Sequence, residues 1–329
     1  MSELYPLIFT PILKQYLWGG RNLEKLGRVI PPNIKVAESW EISSHADGMT
    51  LVSNGHFAGK NLSELLTILG VDLVGTRNLW ALERGIFPHL VKLLDAEDNL
   101  SIQVHPDDDY AREHVSDTEL GKSEMWVVLD AKPEAAVIFG FSEELTTETF
   151  QGLIEKGTLE RSLNYIKVKP GDHLCVPPGT LHAILKGVLL AEIQQNSNTT
   201  FRVYDWGRTD DHGRARELHI AKALDVINFQ QVNEQLPKAK IIDKNERFQR
   251  ELLCVSPYFT VERLTFYQNF EYFGECDGSS LEIWGVVYGC AEIEGLLMDQ
   301  VGFTLLPAGL GKFSLKSKAN SQLLRVYTS

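Results

Sequence analysis

The sequence predicts a mainly β protein made of two sandwich-type domains, and three observations support this. Apolar residues fall into short segments bounded by Gly, Pro, Asn or Asp, helical patterns are few, and one strand-and-turn pattern occurs twice. Short strands at close spacing are typical of sandwiches and barrels. The 329 residues are enough for two such domains.

The predicted strands alternate with a small number of predicted helices. Each strand is a short apolar run flanked by turn residues. They are 89–94, 124–130, 135–140, 173–176, 188–193, 201–205, 259–266, 281–288, 303–306 and 322–327. Helices are predicted over 61–69, 147–156 and 217–227, the first with Asn61 and Glu64 spaced as a capping box. A run of three aspartates at 107–109 is interpreted as the acidic first turn of another helix, where carboxylates favour the helix dipole.

A repeat indicates that the β domain is duplicated. Residues 171–182 and 302–312 both carry a Gly, a short apolar strand and a Pro-x-Gly turn. When the Pro-x-Gly triplets are aligned, His182 falls opposite Lys312. The polar stretch 230–250 is interpreted as a linker or domain boundary. We therefore expect a metal-binding domain over 1–235 and a second domain over 236–329 that lacks metal ligands.

Composition argues against several classes of function. The net charge of −12 argues against wide contact with nucleic acid or an anionic membrane. No apolar run approaches the length of a membrane span, and the N-terminus lacks the pattern of a signal peptide. The four cysteines, at 175, 254, 276 and 290, form no C-x-x-C pair, so neither a disulfide framework nor a cysteine zinc site is predicted. Cys175 is expected to be a small packed residue, and the protein is expected in a reducing cytoplasm.

Three short segments in the first half carry the residue types of a metal site. Gln103 and His105 alternate with apolar residues and so project from one face of a strand. Glu124 lies in a Lys-x-Glu segment, and His182 follows a tight turn. Two imidazoles, a carboxylate and an amide oxygen suit zinc, and they also permit manganese, cobalt or iron. The alternatives are a surface His105, a capping or ion-paired Glu124 and a packed His182.

These segments resemble a known family. Residues 171–182, Gly-x5-Pro-x-Gly-x2-His, match the second motif of the cupin superfamily, while the first motif is only partial, with Gln103-Val104-His105 in place of His-x-His. This departure resembles the type I phosphomannose isomerases, in which a Gln-x-His-Pro segment, a Lys-x-Glu segment and a later histidine bind zinc. Segments 9–20, 38–43 and 198–205 also resemble segments of that family. The resemblance extends over roughly residues 7–225.

The resemblance implies a fold, an activity and a cofactor. It implies two cupin-type (jelly-roll) domains with a few peripheral helices, as in the short bacterial members. It implies the interconversion of mannose 6-phosphate and fructose 6-phosphate through a cis-enediolate. It also implies one Zn²⁺ per chain, with Gln103, His105, Glu124 and His182 as ligands. The expected partner is a small-molecule sugar phosphate, with no nucleic acid and no membrane, and a homodimer is left open.

Two residues are the candidates for catalysis. Lys122 lies two places before Glu124, where it could act as the base or hold the phosphate. Arg202 lies in segment 198–205, which resembles the family segment that ends in the active-site arginine, and it could stabilise the enediolate or contact the phosphate. The alternatives are an exposed lysine and an ion pair of Arg202 with Asp205.

Three further residues are predicted to contact substrate. Trp18 and Trp40 could pack on sugar C–H faces, although core packing is the commoner role of tryptophan. Ser101 is a candidate phosphate contact. Competing functions are a metal-dependent cupin oxygenase, a sugar-phosphate-binding cupin without catalysis and an isomerase of another phosphosugar such as glucose 6-phosphate. Oxygen-dependent turnover would favour the first of these.

Overall fold

The computed structural model describes residues 4–209, 212–232, 235–267 and 269–329. Residues 1–3, on which part of the signal-peptide expectation rests, and residues 233–234 of the expected linker lie outside this description. The strands of the first half, in chain order, are β1 Leu7–Thr10, β2 Ile12–Lys14, β3 Glu38–Ile42, β4 Ser44–His45, β5 Gly48–Met49, β6 Leu51–Val52, β7 His89–Ala96, β8 Ile102–Val104, β9 Glu124–Ala131, β10 Ala136–Phe141, β11 Leu163–Lys167, β12 His173–Val176, β13 His182–Ile184, β14 Val188–Gln195 and β15 Phe201–Tyr204.

The described residues of the second half form strands, without a helix from 240 onward. They are β16 Lys240–Lys244, β17 Phe248–Val255, β18 Thr260–Phe266, β19 Phe270–Cys276, β20 Glu282–Tyr288, β21 Ala291–Ile293, β22 Leu296–Met298, β23 Phe303–Leu306, β24 Gly311–Ser317 and β25 Ser321–Tyr327. The α-helices are α1 Leu62–Leu69, α2 Val71–Val74, α3 Leu79–Arg84, α4 Asp108–His114, α5 Thr147–Glu155 and α6 Ile220–Val226. Short 3₁₀ helices span Asn22–Leu26, Thr76–Asn78 and Leu159–Ser162.

Local sequence signals account for the helix starts. Asn61 accepts a hydrogen bond from the backbone N–H of Glu64, and the Glu64 carboxylate accepts one from the Asn61 N–H, so the predicted capping box is confirmed. Asp107 caps α4 by accepting from the Tyr110 N–H. The three aspartates therefore begin a helix, as predicted. No helix in the described part of the chain is long and apolar enough to span a bilayer.

The sheet topology confirms that the β domain is duplicated. The first sandwich pairs a sheet ordered β12-β9-β14-β7-β3-β2 with one ordered β11-β10-β13-β8-β15. The second contains the matching orders β23-β20-β25-β18-β17-β16 and β22-β21-β24-β19. The N-terminal strand β1 pairs antiparallel with β23 and also with β6, so these two strands extend a sheet of the second sandwich. The start of the chain therefore ties the two halves together.

Strands that are buried on both faces hold the layers together. All residues of β7 and β14 are buried. On β7, Val91 and Leu93 face the core between the two sandwiches, whereas Leu94 and Ala96 face the interior of the first. This follows from the two-residue period of a strand. Helices α5 and α6 cover the outer face of the β8–β10–β13 sheet through residues such as Phe150.

Two expectations need correction. The stretch 230–250 is not a linker throughout, because β16 and the start of β17 lie within it, and its interpretation as a domain boundary stays a prediction. Its polar composition reflects an edge strand, since every residue of β16 is exposed. The structure also pairs Cys175 of β12 with Cys254 of β17 in a disulfide that bridges the two sandwiches, although no disulfide was predicted. Spacing gave no signal because the partners are 79 residues apart and meet only through the tertiary packing.

His89 is an unpaired imidazole between the two halves. It is fully buried, neither ring nitrogen has a hydrogen-bond partner, and it packs edge-on against Phe87 and Phe259. Burial lowers the pKa of His89 from 6.5 to about 4. Between pH 6.5 and pH 4 this imidazole is therefore protonated in the unfolded chain but neutral in the folded chain. The free energy of unfolding falls as the pH falls through this range.

Replacing His89 with leucine should remove this acid sensitivity. The pKa shift corresponds to roughly 3 kcal/mol at a pH below both values and to nothing above pH 7. We expect urea unfolding of His89→Leu to show a smaller loss of stability between pH 7 and pH 4 than the unsubstituted protein shows. An identical pH slope for the two proteins would contradict this assignment.

Candidate metal centre and pocket

Three strands bring the predicted histidines and glutamate together. Glu124 begins β9, His105 directly follows β8, and His182 begins β13 opposite Gln103 of β8. The Pro-x-Gly turn before His182 is fixed because Gly179 adopts a φ of +82° and donates its N–H to the His105 carbonyl at 2.9 Å. The repeated turn therefore serves to hold two histidines side by side.

The three side chains form a compact, buried set of donor atoms. One donor atom from each of His105, Glu124 and His182 lies within 4.8 Å of the others. The His105 Nε2 is 3.1 Å from Glu124 Oε1, and the His182 Nε2 is 3.7 Å from Glu124 Oε2. Each of these side chains is about 1% exposed. Nitrogen and carboxylate oxygen at such spacing form a candidate site for a divalent metal.

Both imidazoles are oriented as metal ligands require. The Nδ1 of His105 hydrogen-bonds the Thr199 carbonyl at 2.9 Å, and the Nδ1 of His182 hydrogen-bonds the Thr180 carbonyl at 2.9 Å. Since a carbonyl only accepts, each Nδ1 carries the proton and each Nε2 presents a lone pair to the cluster. Burial, followed by the cation of Lys122, lowers the pKa of His105 to about 3, and burial lowers that of His182. Neutral imidazole is the form that binds metals.

Glu124 supplies the negative charge of the set. Burial opposes its ionisation, but the ammonium of Lys122 holds its pKa well below the ordinary value. Its Oε1 lies 2.7 Å from Lys122 Nζ and 3.1 Å from His105 Nε2, yet neither approach has the direction of a hydrogen bond to this oxygen. The ammonium of Lys122 offsets the charge of this buried oxygen, while the lack of a directed hydrogen bond leaves the oxygen available as a metal ligand. The observed donors therefore fit a divalent ion.

Lys122 and Gln103 complete the surroundings of this cluster. Burial acts against the charge of Lys122, but Glu124 and Glu192 outweigh it and raise its pKa above the ordinary value. The Gln103 Nε2 lies 3.5 Å from His182 Nε2, and its Oε1 accepts from Ser101. A half-turn of this amide would direct its oxygen at the cluster instead.

A cavity of about 240 Å³ opens beside the cluster. Its lining includes five of the residues singled out from the sequence, namely Trp18, Ser101, Gln103, Lys122 and Arg202. It also includes charged and polar residues that were not predicted from the sequence to be site residues, namely Tyr16, Glu38, Lys92, Glu192, Asn198, Thr200 and Arg216. Many polar groups on a concave wall are typical of a site for a small polar ligand.

The two tryptophans take different positions. Trp18 lines the cavity, although it is only 3% exposed. Trp40 is fully buried outside the lining, donates its Nε1–H to Glu38 at 2.6 Å and lies 4.9 Å from the ammonium of Lys92. Trp40 therefore contacts two side chains of the cavity wall and not the cavity itself.

Arg202 does not pair with Asp205. It lies on β15 opposite Gln103, and its Nε donates to Ser101 Oγ at 3.3 Å while its Nη1 donates to the Glu217 carbonyl at 2.9 Å. Asp205 instead accepts from Arg208 and Arg216. The guanidinium of Arg202 is therefore placed on the cavity wall, one strand from the metal cluster.

A second group of buried charges, not predicted from the sequence, lies on the cavity wall. Lys92 Nζ lies 3.5 Å from Glu38 Oε2 and 3.9 Å from Glu192 Oε1, and Glu192 also accepts from the Trp126 indole at 3.1 Å. Burial and the charge of Glu124 raise the pKa of Glu192 to about 7. One signal was available, because Lys92 and Glu192 each interrupt an apolar strand and an unpaired charge there is costly.

The second sandwich preserves part of this arrangement without the histidines. Trp284 donates its indole N–H to Glu282 two residues earlier at 2.8 Å, as Trp126 does to Glu124 at 3.0 Å. These two glutamates begin equivalent strands, β20 and β9. The equivalent strand position thus carries a glutamate in both sandwiches.

The neighbouring charges are exchanged in the second sandwich. In the first, Glu192 lies opposite Lys92 on the adjacent strand. In the second, the equivalent pair is Arg325 opposite Glu262. Arg325 therefore takes the position of Glu192, and Glu262 takes the position of Lys92. Arg325 lies between two acidic side chains, Glu262 and Glu282, at the position that Glu192 has in the first sandwich.

The paired sandwiches and the buried His–Glu–His cluster define a two-domain cupin protein with a candidate metal site. Residues 7–143 match the model of "Phosphomannose isomerase type I, catalytic domain". Over 262 residues the chain is 42% identical to the probable mannose-6-phosphate isomerase GmuF of Bacillus subtilis, covering 78% of each chain. It is 43% identical over 235 residues to the mannose-6-phosphate isomerase ManA of the same organism, covering 70% of each.

A solved structure agrees with these relatives. The crystal structure of the mannose 6-phosphate isomerase from Bacillus subtilis superposes with a TM-score of 0.86 at 34% identity, covering 98% of this chain and 99% of that one. The chain belongs to the type I phosphomannose isomerase family, a metal-dependent family with a cupin fold. The predicted fold class and the family resemblance are both confirmed.

Proposed function

We propose that this chain interconverts mannose 6-phosphate and fructose 6-phosphate by moving a proton between C1 and C2. Family membership supports the reaction, and the observation that carries it to this chain is the buried cluster of His105, Glu124 and His182 beside a polar cavity. The cations on the cavity wall, Arg202 and Arg216 among them, suit a phosphorylated substrate in a chain that is acidic overall.

The proposed cofactor is one Zn²⁺. His105, Glu124 and His182 would hold it, with the Gln103 oxygen as a fourth donor after rotation of its amide. The bound ion would supply Lewis-acid polarisation of the sugar oxygens at C1 and C2. The protonated Nδ1 of each histidine supports this assignment, because it leaves both Nε2 atoms as acceptors.

The proposed roles of the other side chains follow from where they lie. Arg202 presents a permanent cation to the cavity, where it stabilises negative charge that develops on the enediolate oxygens. Lys122 contacts both the cluster and the cavity, so it orients substrate oxygens or transfers the proton. Ser101 and Trp18 would contact the substrate directly, and Trp40 would act through Glu38.

The domain division and the cellular setting are part of this proposal. Residues 1–235 would form the catalytic domain and 236–329 the second domain, with β1 and β6 crossing to the second. A cytoplasmic location and a homodimer are also proposed, which cell fractionation and light scattering would test.

The purified protein should convert mannose 6-phosphate to fructose 6-phosphate. Chelation should lower the rate by roughly 100-fold or more, and added zinc should restore it, because metal polarisation contributes several kcal/mol to such a reaction. A coupled assay for fructose 6-phosphate measures the rate, with glucose 6-phosphate and unphosphorylated mannose as control substrates. Absence of conversion, or conversion that is unaffected by metal removal, would refute the proposal.

A further inference from the structure

Two cysteines meet where the two sandwiches touch. Cys175 lies on β12, the edge strand of a sheet in the first sandwich, and Cys254 lies on β17 of the second. A disulfide joins them with a Cα–Cα distance of 6.0 Å, which is within the usual range for such a bond. Across the same boundary, the Nη1 of Arg263 donates to the Gly171 carbonyl at 2.8 Å. The bridge is therefore a covalent link between two sheets that belong to different sandwiches.

The two sulfur-bearing residues differ in their access to solvent. Cys254 is 4% exposed and belongs to the core between the sandwiches, whereas Cys175 is half-buried and packs against the edge of that core. Solvent therefore reaches Cys175 more readily than Cys254. Exposed disulfides are the ones that exchange with cellular thiols, while fully buried ones resist reduction. This difference favours attack of a small thiol at Cys175.

The surroundings also suit the reduced state. The Leu253 carbonyl lies 3.8 Å from the Cys175 sulfur, so a Cys175 thiol can donate a weak hydrogen bond to it. The Cys254 thiol would pack as a small apolar group, as buried free cysteines do. Opening of the bond thus creates no strongly polar group in the core. In the cytoplasm, the location proposed above, the disulfides that do form are usually reversible.

The strand that carries Cys175 leads directly to the candidate metal centre. Val176, the next residue, pairs with Glu124 of β9. The chain then enters the Pro-x-Gly turn, whose glycine donates to the carbonyl of the other candidate histidine ligand, and continues to His182. A restraint on Cys175 is therefore also a restraint on the strand and turn that position the metal ligands.

We propose that Cys175 and Cys254 form a reversible redox latch that, when oxidised, fixes β12 to the second sandwich and slows the loss of metal from the neighbouring site. In the opening step, the thiolate of glutathione attacks the Cys175 sulfur, the S–S bond breaks, and Cys254 leaves as a thiolate that takes a proton from water. A second glutathione thiolate attacks the glutathione sulfur of the mixed disulfide. This step yields glutathione disulfide and releases Cys175.

The electrons balance in both directions. Two glutathione molecules are oxidised to one glutathione disulfide while the protein disulfide is reduced to two thiols, and glutathione disulfide reverses the reaction. The latch rests on the proposed metal site only for its effect on metal loss. The thiol state and the melting temperature can be measured whatever reaction the protein catalyses.

Reduction is expected to lower the melting temperature of the full chain by roughly 5–10 °C. The bond joins residues 79 positions apart, so opening it returns much conformational entropy to the unfolded chain. Thermal unfolding is measured after equilibration at pH 7 with mixtures of reduced and oxidised glutathione. Mass spectrometry of alkylated peptides gives the fraction of disulfide in each mixture. This fraction should pass from about nine-tenths to about one-tenth, and back, as the mixture is changed.

Two serine variants separate the latch from a general effect of the reductant. Cys175→Ser should have the melting temperature of the reduced protein in every mixture. Cys290→Ser is the matched control, because Cys290 is also half-buried but belongs to no disulfide. It should keep the full redox-dependent shift of the unsubstituted protein. A shift in Cys175→Ser as large as that in Cys290→Ser would contradict the assignment to this pair.

Zinc loss to the coloured chelator 4-(2-pyridylazo)resorcinol, after removal of glutathione, tests the effect on the metal. The reduced protein and Cys175→Ser should release zinc roughly 3- to 10-fold faster than the oxidised protein. Groups that orient metal ligands directly change affinity by roughly 10- to 100-fold, and β12 acts less directly. The proposal is overturned if no glutathione mixture opens the bond, if both forms melt at the same temperature, or if both release zinc equally fast. Redox-dependent melting and zinc release in a protein that isomerises nothing would support the latch and refute only the proposed function.

Discussion

Glu124→Gln is expected to remove the metal and lower kcat/KM by roughly 1,000-fold or more. The substitution keeps the shape of the side chain but removes the only anion among the three donor residues. It also leaves the ammonium of Lys122, 2.7 Å away, in a buried position without its nearest counter-charge. Loss of metal polarisation alone accounts for several kcal/mol of transition-state stabilisation. Metal content by elemental analysis and kcat/KM by the coupled assay test this prediction.

The duplicated fold provides a matched control for this experiment. Glu282 begins the equivalent strand, accepts from the equivalent tryptophan and is almost as buried as Glu124, but no histidine among the described residues joins it in a metal-binding cluster. Glu282→Gln should therefore keep the metal and the activity while losing some stability. Equal metal content in Glu124→Gln and in the unsubstituted protein would contradict the ligand assignment.

Arg325→Met is expected to destabilise the protein by about 3–5 kcal/mol without affecting the metal. Its guanidinium pairs with Glu282 and lies 3.5 Å from Glu262, and both carboxylates are almost completely buried. Burial opposes the charge of Arg325, but Glu282 outweighs it and raises its pKa. Removing the cation leaves the buried Glu282 without its cationic partner and Glu262 with Arg250 alone, which costs far more than the pair itself contributes.

Urea unfolding and metal content test this second prediction together. Lys316→Met is the control, because Lys316 pairs with Glu271 on the surface, with half of its side chain exposed, and should change stability by less than about 1 kcal/mol. A stability loss for Arg325→Met no larger than that of the control would contradict the role of the network. Metal loss in Arg325→Met would show that the two sandwiches are coupled.

Local pattern predicted most of the secondary structure. The segment at 173–176 coincides with β12, and the capped helix at 61–69 coincides with α1 and its cap. Strand alternation and capping depend on neighbours in sequence, so the sequence alone is enough to find them. The edge strand β16 was not predicted, because an exposed edge strand needs no apolar face and the polar residues of β16 resemble those of a loop.

The candidate site was only partly predictable. The histidines and Glu124 were found through motif spacing and family resemblance, and the structure brings them within 4.8 Å of one another. Lys92 and Glu192 were missed. A charged residue within an apolar strand indicates that its side chain is buried, but it does not indicate which residue it pairs with. Arg216 was missed for another reason, since it lies in an irregular segment and only its contact with Asp205 directs it into the cavity.

By itself, the sequence determined the β architecture, the duplicated turn and the residue types of a metal site, because each of these depends on the spacing of residues that are close in sequence. Only the tertiary structure decided which charges meet. Antiparallel pairing places Glu192 opposite Lys92 and Arg325 opposite Glu262, and packing of the two sandwiches joins Cys175 to Cys254. The energy of a buried charge depends on what lies within a few ångströms of it, and strand register sets those distances.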